Sequence, residues 1–167
     1  MNNIILIGMP GSGKSTVGVL LAKLVGFRFT DTDLLIQEEA DKKLYKIIRD
    51  DGIDVFCALE NKINSEINSN NTVIATGGSV VYHEQAMEHL KSIGTIVFLD
   101  VPEAELERRV GDFSKRGVLI KNGSTFADLY AERMPLYQKY ADVTVKLDES
   151  DLLENAKKIM LALDISE

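Results

Sequence analysis

Residues 2–16 read NNIILIGMPGSGKST. Ile4, Ile5, Leu6 and Ile7 form a short apolar run with no helical period, the pattern of a strand buried on both faces. Residues 8–15 then fit G-x-x-x-x-G-K-[ST], with Gly8, Gly13, Lys14 and Ser15 at the fixed positions. The glycines let the backbone bend so that successive N–H groups point inward and cradle phosphate oxygens. A helix over 15–24 starts there and adds the positive end of its dipole. Gly11, Ser12, Gly13, Lys14, Ser15 and Thr16 are therefore the candidate nucleotide-binding residues. Lys14 would reach the β- and γ-phosphates of ATP, and the Ser15 hydroxyl would hold Mg²⁺. The competing reading of the stretch is a plain glycine-rich turn between a strand and a helix.

The chain has 167 residues, enough for a single domain with a sizeable core and too few for two comfortable ones. Hydrophobic residues make up 45% and charged residues 27%, the balance of an ordinary soluble globular protein. A formal charge of −7 leaves no basic surplus to neutralise nucleic-acid phosphates, so no nucleic-acid partner is expected. A local basic site for a small anion remains compatible with it. Cys57 is the one cysteine, which excludes an intrachain disulfide and a cysteine zinc cluster. His83 and His89 lack the spacing of a helical metal pair and read as surface or structural. No apolar run approaches a membrane span. No charged leader precedes an apolar segment, so no signal peptide is expected and the expected compartment is the cytoplasm.

Working outward, Gly26 ends the first helix and 27–30 reads as a short strand. Asp31-Thr32-Asp33 stands at its end, and helical pattern resumes over 34–40. Residues 44–48 and 55–67 read as two more helices, broken at Asp51-Gly52; Leu59, Ile63 and Ile67, four apart, suggest the apolar face of the second. A polar turn at 68–71 leads to a strand over 72–76, which ends in Gly77-Gly78-Ser79. A helix over 83–92, a buried-type strand over 95–100 and a helix over 103–110 follow, with Pro102 at the last helix's first turn. Residues 111–124, rich in Gly, Lys, Ser and Asn, read as a mobile loop. Helix 126–140 contains Pro135, a potential kink. A strand over 143–147 and a helix over 151–163 close the chain.

This alternation implies an α/β fold with a parallel sheet covered by helices on both faces. Ligands of such sheets bind beyond the carboxyl ends of the strands. The phosphate loop, Asp31 and Asp33, Gly77–Ser79 and the region after Asp100 should therefore face one crevice. A regulatory GTPase would carry D-x-x-G and N-K-x-D motifs, and neither is present; Asn61-Lys62-Ile63-Asn64 lacks the acid. Large mechanical ATPases need more chain. A small kinase remains.

At this point the sequence resembles the shikimate kinase family over almost its whole length. The marks are GMPGSGKST at 8–16, the D-x-D of Asp31 and Asp33, F-x-x-x-E at 56–60, the glycine turn at 77–79, Arg109 and Arg116 around the loop, and E-R-x-P-L-Y at 132–137. The D-x-D at this distance together with E-R-x-P-L-Y is far more specific than the phosphate loop alone. The resemblance implies a three-layer P-loop kinase fold with a five-stranded parallel sheet in the order 2-3-1-4-5. It implies an acceptor-binding segment at about 31–62, a lid at about 111–124, and a monomer. The implied reaction moves the γ-phosphate of ATP to a ring hydroxyl of shikimate, a step of aromatic amino acid biosynthesis. Carried over by residue, Lys14 and the loop amides hold phosphates, while Ser15, and Asp31 through water, position Mg²⁺. Asp33 receives the acceptor hydroxyl, Arg109 lies against adenine, Arg116 approaches the γ-phosphate and Arg133 grips the acceptor's carboxylate. Each role has a plainer competitor. Asp31 and Asp33 would also cap a helix. Arg109 and Arg116 could be solvated charges, and Arg133 could pair with Asp128 or Glu132. Tyr137 and Tyr140 read as packing residues.

The departures fall on the acceptor side. Cys57 stands where the family carries an arginine that contacts the shikimate carboxylate. Ile53 replaces a glutamate, Ser79 replaces the third glycine of the turn, and Arg116 is followed by Gly117-Val118-Leu119 instead of Pro-Leu-Leu. The expected substrate-binding set is Asp33, Cys57, Gly77, Gly78, Ser79 and Arg133, with Lys46 or Arg49 as candidate substitutes for the missing arginine. Two alternatives stand beside shikimate phosphorylation. One is a kinase of the same fold acting on another hydroxylated acid, sugar acid or polyol, as gluconate kinases do. The other is a nucleotide-binding protein without transfer activity.

Overall fold

The structure, a computed structural model, describes residues 2–111, 123–148 and 151–165. Strand β1 (Asn3–Ile7) is buried at all five positions, so both of its faces are covered. It pairs in parallel with β3 (Thr72–Ala75), Ile4 opposite Val73, and on its other side with β4 (Gly94–Asp100), Ile4 opposite Thr95. Strand β2 (Arg28–Asp31) lies outside β3, and β5 (Val143–Lys146) outside β4. The sheet order is β2-β3-β1-β4-β5, as the resemblance implies. Asn3 ties the lower ends together: its buried amide donates to the carbonyls of Ser69 and Ile93 and accepts from the Thr72 N–H.

Helix α1 (Lys14–Val25) follows β1 and ends at Gly26, left-handed at φ 71°. Then come α2 (Thr32–Ala40), the single turn α3 (Leu44–Lys46), α4 (Ile53–Glu66), α5 (Glu84–Ile93), α6 (Glu103–Val110), α7 (Phe126–Tyr140) and α8 (Leu152–Ala162). The main core gathers β1, β3 and β4 with Val17 and Leu21 of α1, Met87 and Leu90 of α5, Tyr137 of α7 and Ile159 of α8. A second, smaller core joins Ile36, Ile47 and Phe56, with Leu44, Cys57, Leu59 and Ile63 against it. The segment between β2 and β3 thus packs around a nucleus of its own.

Most elements start and end within a residue or two of the sequence reading, and α7 continues through Pro135. Two elements differ. Residues 44–48 are not one helix. One α turn passes into a π turn at Ile47–Asp51, closed by the Gly52 N–H on the Ile47 carbonyl at 3.1 Å. In α4 the fully buried stripe is Phe56, Glu60 and Asn64, while Leu59, Ile63 and Ile67 are only half-buried. The Glu60 carboxylate finds Ser79 and His83 there, and the Asn64 amide donates to the Glu60 carbonyl at 2.8 Å. The expected lid lies almost wholly outside the described residues, and Arg116 with it.

The order positions the site. From β1 the chain turns to one side of the sheet, and from β3 it crosses to the other. The crevice therefore opens between the carboxyl ends of these two neighbours. Thr76, just past β3, locks them there: its N–H and its hydroxyl both donate to the Leu6 carbonyl, at 3.2 and 2.9 Å.

Candidate active site

The loop after β1 bends where the sequence places its glycines. Gly11 and Gly13 stand at φ 81° and 90°. A β-carbon on Gly11 would also lie 2.6 Å from Val110 Cγ2, so α6 closes directly over the loop. Gly11, Gly13, Lys14, Ser15 and Thr16 line a cavity of about 280 Å³ together with Asp33, Glu60, Thr76, Gly77, Gly78, Ser79 and Arg133. The first-turn N–H groups of α1 have no carbonyl four residues back to bond. Facing this cavity, they form a cradle for phosphate oxygens. Ser12 is buried beneath, its hydroxyl 3.4 Å from Lys14 Nζ.

Lys14 is buried, and its ammonium donates to the carbonyls of Gly8 (2.8 Å) and Met9 (2.9 Å). Burial lowers its pKa to about 8, against the attraction of Asp33. Asp31 does two things at once. One carboxylate oxygen caps α2 by accepting the Asp33 N–H at 3.0 Å, and the other accepts the Ser15 hydroxyl at 2.5 Å. The capping and metal readings of Asp31 are thus compatible. Ser15 and Asp31 present hard oxygen donors of the kind that suits Mg²⁺. No cluster of three or more His, Cys, Asp or Glu side chains able to hold a metal occurs among the described residues. A metal here would need oxygens from the nucleotide, which is how Mg²⁺ is ordinarily held at phosphates.

Asp33 opens α2 and points into the cavity. Burial, then the charges of Asp31 and Glu60, raise its pKa to about 7, and Lys14 only partly offsets them. A carboxylate that titrates near neutrality is matched to receiving a proton from a hydroxyl. Gly77 separates it from Glu60: a β-carbon there would overlap a Glu60 carboxylate oxygen and lie 2.9 Å from Asp33 Oδ1. Gly78 gives way in the same manner to Arg133, whose Nη1 would be 3.1 Å from a β-carbon. Arg133 itself is 1% exposed, a buried guanidinium on the cavity wall. Its Nε donates to the Tyr82 hydroxyl at 3.3 Å, whereas Asp128, a partner considered for it, forms a capping box with Thr125. Tyr137 stacks on Phe98 with ring centroids 5.1 Å apart and donates its buried hydroxyl to the Gly78 carbonyl at 2.6 Å. It is a packing residue that also pins the turn.

A family model described as shikimate kinase matches residues 10–164. A shikimate kinase of Persephonella marina is 40% identical over 150 residues, covering 89% of this chain and 90% of that protein. The structure of the Acinetobacter baumannii shikimate kinase in complex with shikimate superposes with a TM-score of 0.90 at 30% identity, over 98% of this chain and 94% of that one. The Aquifex aeolicus shikimate kinase gives 0.83 at 36% identity, over 97% and 96%.

The chain belongs to the shikimate kinase family. It is accordingly an ATP-dependent kinase with the P-loop kinase fold.

Not every residue expected at a shikimate kinase site reaches the cavity. Cys57 does not line it; its side chain is half-buried and packs against the second core. Burial, with Glu60 and Asp54, raises its thiol pKa. Lys46 is exposed on α3, and Arg49 is paired with Asp50 in solvent at 2.6 Å, so neither lines the cavity in place of an arginine at 57. Arg109 bonds Glu105 one turn back at 2.6 Å and reaches the Gly11 carbonyl at 3.5 Å, which puts it beside the loop's outer edge. Glu60 is the residue that sequence reasoning missed. It marks the family in F-x-x-x-E, but received no role. The signal was an acid four residues after Phe56 on what proves to be the buried stripe of α4.

Proposed function

We propose that this protein transfers the γ-phosphate of ATP to a ring hydroxyl of shikimate, in the cytoplasm and as a monomer. One observation carries the reading: the phosphate cradle, Asp33 and the buried Arg133 open onto the same cavity. Phosphoryl transfer needs positioning and charge neutralisation more than covalent chemistry, and these groups supply both.

In this reading Lys14 leaves the loop carbonyls for phosphate oxygens, where its charge opposes the charge that develops on transfer. Ser15, and Asp31 through water, would hold a Mg²⁺ that neutralises the phosphates and fixes their orientation. Arg133 takes the acceptor's carboxylate and thereby orients the ring. Asp33 receives the proton of the attacking hydroxyl. A cavity of about 280 Å³ suits the acceptor and the phosphates between these groups. The base and ribose then lie outside it, towards Arg109. Residues 31–62 act as the acceptor-binding segment, and residues 111–124, with Arg116, as the lid that excludes water.

The test is ADP release from MgATP with shikimate, followed by a panel of sugar acids and polyols. Saturable turnover on shikimate above that on the others is the expected result. Turnover only on another acceptor would overturn the substrate assignment, and nucleotide binding with no acceptor turnover would leave only the phosphate site standing.

A further inference from the structure

The acceptor side of the cavity holds two buried groups of opposite charge, Glu60 on α4 and Arg133 on α7. The residue one turn before Glu60 on its own helix, where a partner would sit, is Cys57, which brings no charge. A fully buried carboxylate still needs donors. They come from one short segment after β3, residues 79–83. The Ser79 hydroxyl lies 2.9 and 2.8 Å from the two Glu60 oxygens, and His83 Nε2 lies 2.9 Å from Oε2. The carboxylate accepts both, so His83 carries a hydrogen on Nε2. Glu60 is 0% exposed and His83 only 12%, so water does not compete freely for this contact.

The same segment reaches Arg133. Tyr82 accepts from Arg133 Nε at 3.3 Å, and its ring lies 5.3 Å from the guanidinium carbon. Buried Val80 and Val81 anchor the segment in the main core. Its main chain is tied by Tyr82 N–H to the Ser79 carbonyl and by His83 N–H to the Val80 carbonyl, both at 3.0 Å.

The side chains give up local roles to do this. Ser79 stands at the N-cap of the 3₁₀ turn Val80–Tyr82, and His83 at the N-cap of α5, yet neither caps its helix. Serine is among the best N-capping residues, so leaving the helix end uncapped has a cost. Local preference yields to the contacts with Glu60, as it does at sites where position matters more than stability.

We propose that Tyr82 and His83 are positioning residues for the acceptor, Tyr82 through Arg133 and His83, with Ser79, through Glu60. One turn thereby sets the spacing between Arg133 and Glu60, the buried cation and anion on the cavity wall. The proposal deepens the shikimate reading above and rests on it. It gives Glu60 its partners from the segment after β3, where α4 offers no cation at 57.

The experiment is steady-state kinetics on Tyr82→Phe, His83→Leu and His83→Gln, varying shikimate and ATP separately, with Tm measured on each. Losing a hydrogen bond to a charged group corresponds to about tenfold in affinity. His83→Leu should raise KM for shikimate about tenfold and leave KM for ATP within about twofold. Tyr82→Phe keeps the ring, and its lost bond is long, so about threefold is expected. Glutamine places an amide N–H near the position of Nε2, and His83→Gln should return KM for shikimate to within about threefold of the parent. If His83→Leu does not fold, Tyr82→Phe against the parent decides, because it is a mild change whose expected rise in KM for shikimate is about threefold. Lower Tm with unchanged KM for shikimate would reduce the segment to scaffold and overturn the proposal. So would KM for both substrates rising together. A parent protein that does not turn over shikimate removes the substrate assignment first and this inference with it. A normal parent with silent variants removes the inference alone.

Discussion

Asp33→Asn tests the catalytic role proposed for this carboxyl separately from its effect on stability. In the folded protein this group titrates near 7 instead of at 3.8, because burial and the charges of Asp31 and Glu60 disfavour its ionised form. The sign follows from linkage. Below about pH 4 folded and unfolded chains both carry the proton and the group costs nothing. As pH rises the unfolded chain releases its proton first, so stability falls from about pH 4 to about pH 7 and is level above. At about 1.4 kcal/mol per pH unit the full cost is about 4 kcal/mol. Water in the open cavity screens this, and about half is the better expectation. Lost attraction for Lys14 works the other way but is the smallest of the influences on Asp33. The nucleotide-free Asn variant should therefore be more stable than the parent by about 2 kcal/mol at pH 8, or about 4–8 °C in Tm. The gain should shrink toward pH 5. Transfer should fall by about 10²–10⁴-fold while ATP still binds. Thermal unfolding across pH 5–8.5 and ADP-release kinetics measure both. An Asn variant no more stable than the parent at pH 8, or one that keeps its kcat, refutes the reasoning.

Lys14→Met should lower kcat by about 10²–10³-fold, the usual loss for one charged donor at the transferring group. In the parent, kcat/KM for ATP should decline above about pH 8 as the free enzyme's Lys14 loses its proton. Gly94→Ala should destabilise the fold by about 1–3 kcal/mol without changing KM, read by urea unfolding, because its β-carbon would overlap the Asn3 carbonyl and lie 2.6 Å from Ile5 Cδ1. Cys57→Arg should lower KM for shikimate by up to about tenfold in the same ADP-release assay; an unchanged KM would mean that the acceptor site does not use position 57.

The nucleotide half was legible because backbone makes it. Two glycines, a lysine and a serine at fixed spacing specify the loop locally, and the unbroken apolar run at Ile4–Ile7 specifies the strand that carries it. Strand order came from the family resemblance alone; the alternation of elements gave the parallel sheet but not its order. The acceptor half was less legible because side chains from four separate elements make it. Asp33 was found from its distance to the loop. Glu60 was not, since an acid on a helix ordinarily marks the wet face, and only Ser79 and His83, distant in sequence, make burial tolerable here. His83 read as surface or structural; it is largely buried behind the cavity wall, bonded to Glu60. The π turn at Ile47–Asp51 has no local signature in IIRDD; it lets Ile47 reach the second core beside Phe56.

An uncharged residue at 57 also bears on the chemistry. The charged groups that line the cavity, Asp33 and Glu60 against Lys14 and Arg133, balance, and Asp31 adds a further carboxylate beside it, bonded to Ser15. After burial, the charges of Asp31 and Glu60 keep Asp33 titrating near 7. Were an arginine at 57 to bring its guanidinium to about 10 Å from Asp33, then at an effective dielectric of about 20 it would favour ionised Asp33 by about 1.7 kcal/mol. That lowers its pKa by about one unit. An arginine at 57 would thus bind the acceptor's carboxylate more tightly and make Asp33 a weaker base in one stroke. The KM and the acid limb of the rate profile of Cys57→Arg should therefore move together, the first by up to about tenfold and the second from about pH 7 towards 6. A lower KM with the limb unmoved would mean that the new cation reaches the acceptor without acting on Asp33. The electrostatic link between the two halves of the site would then be absent.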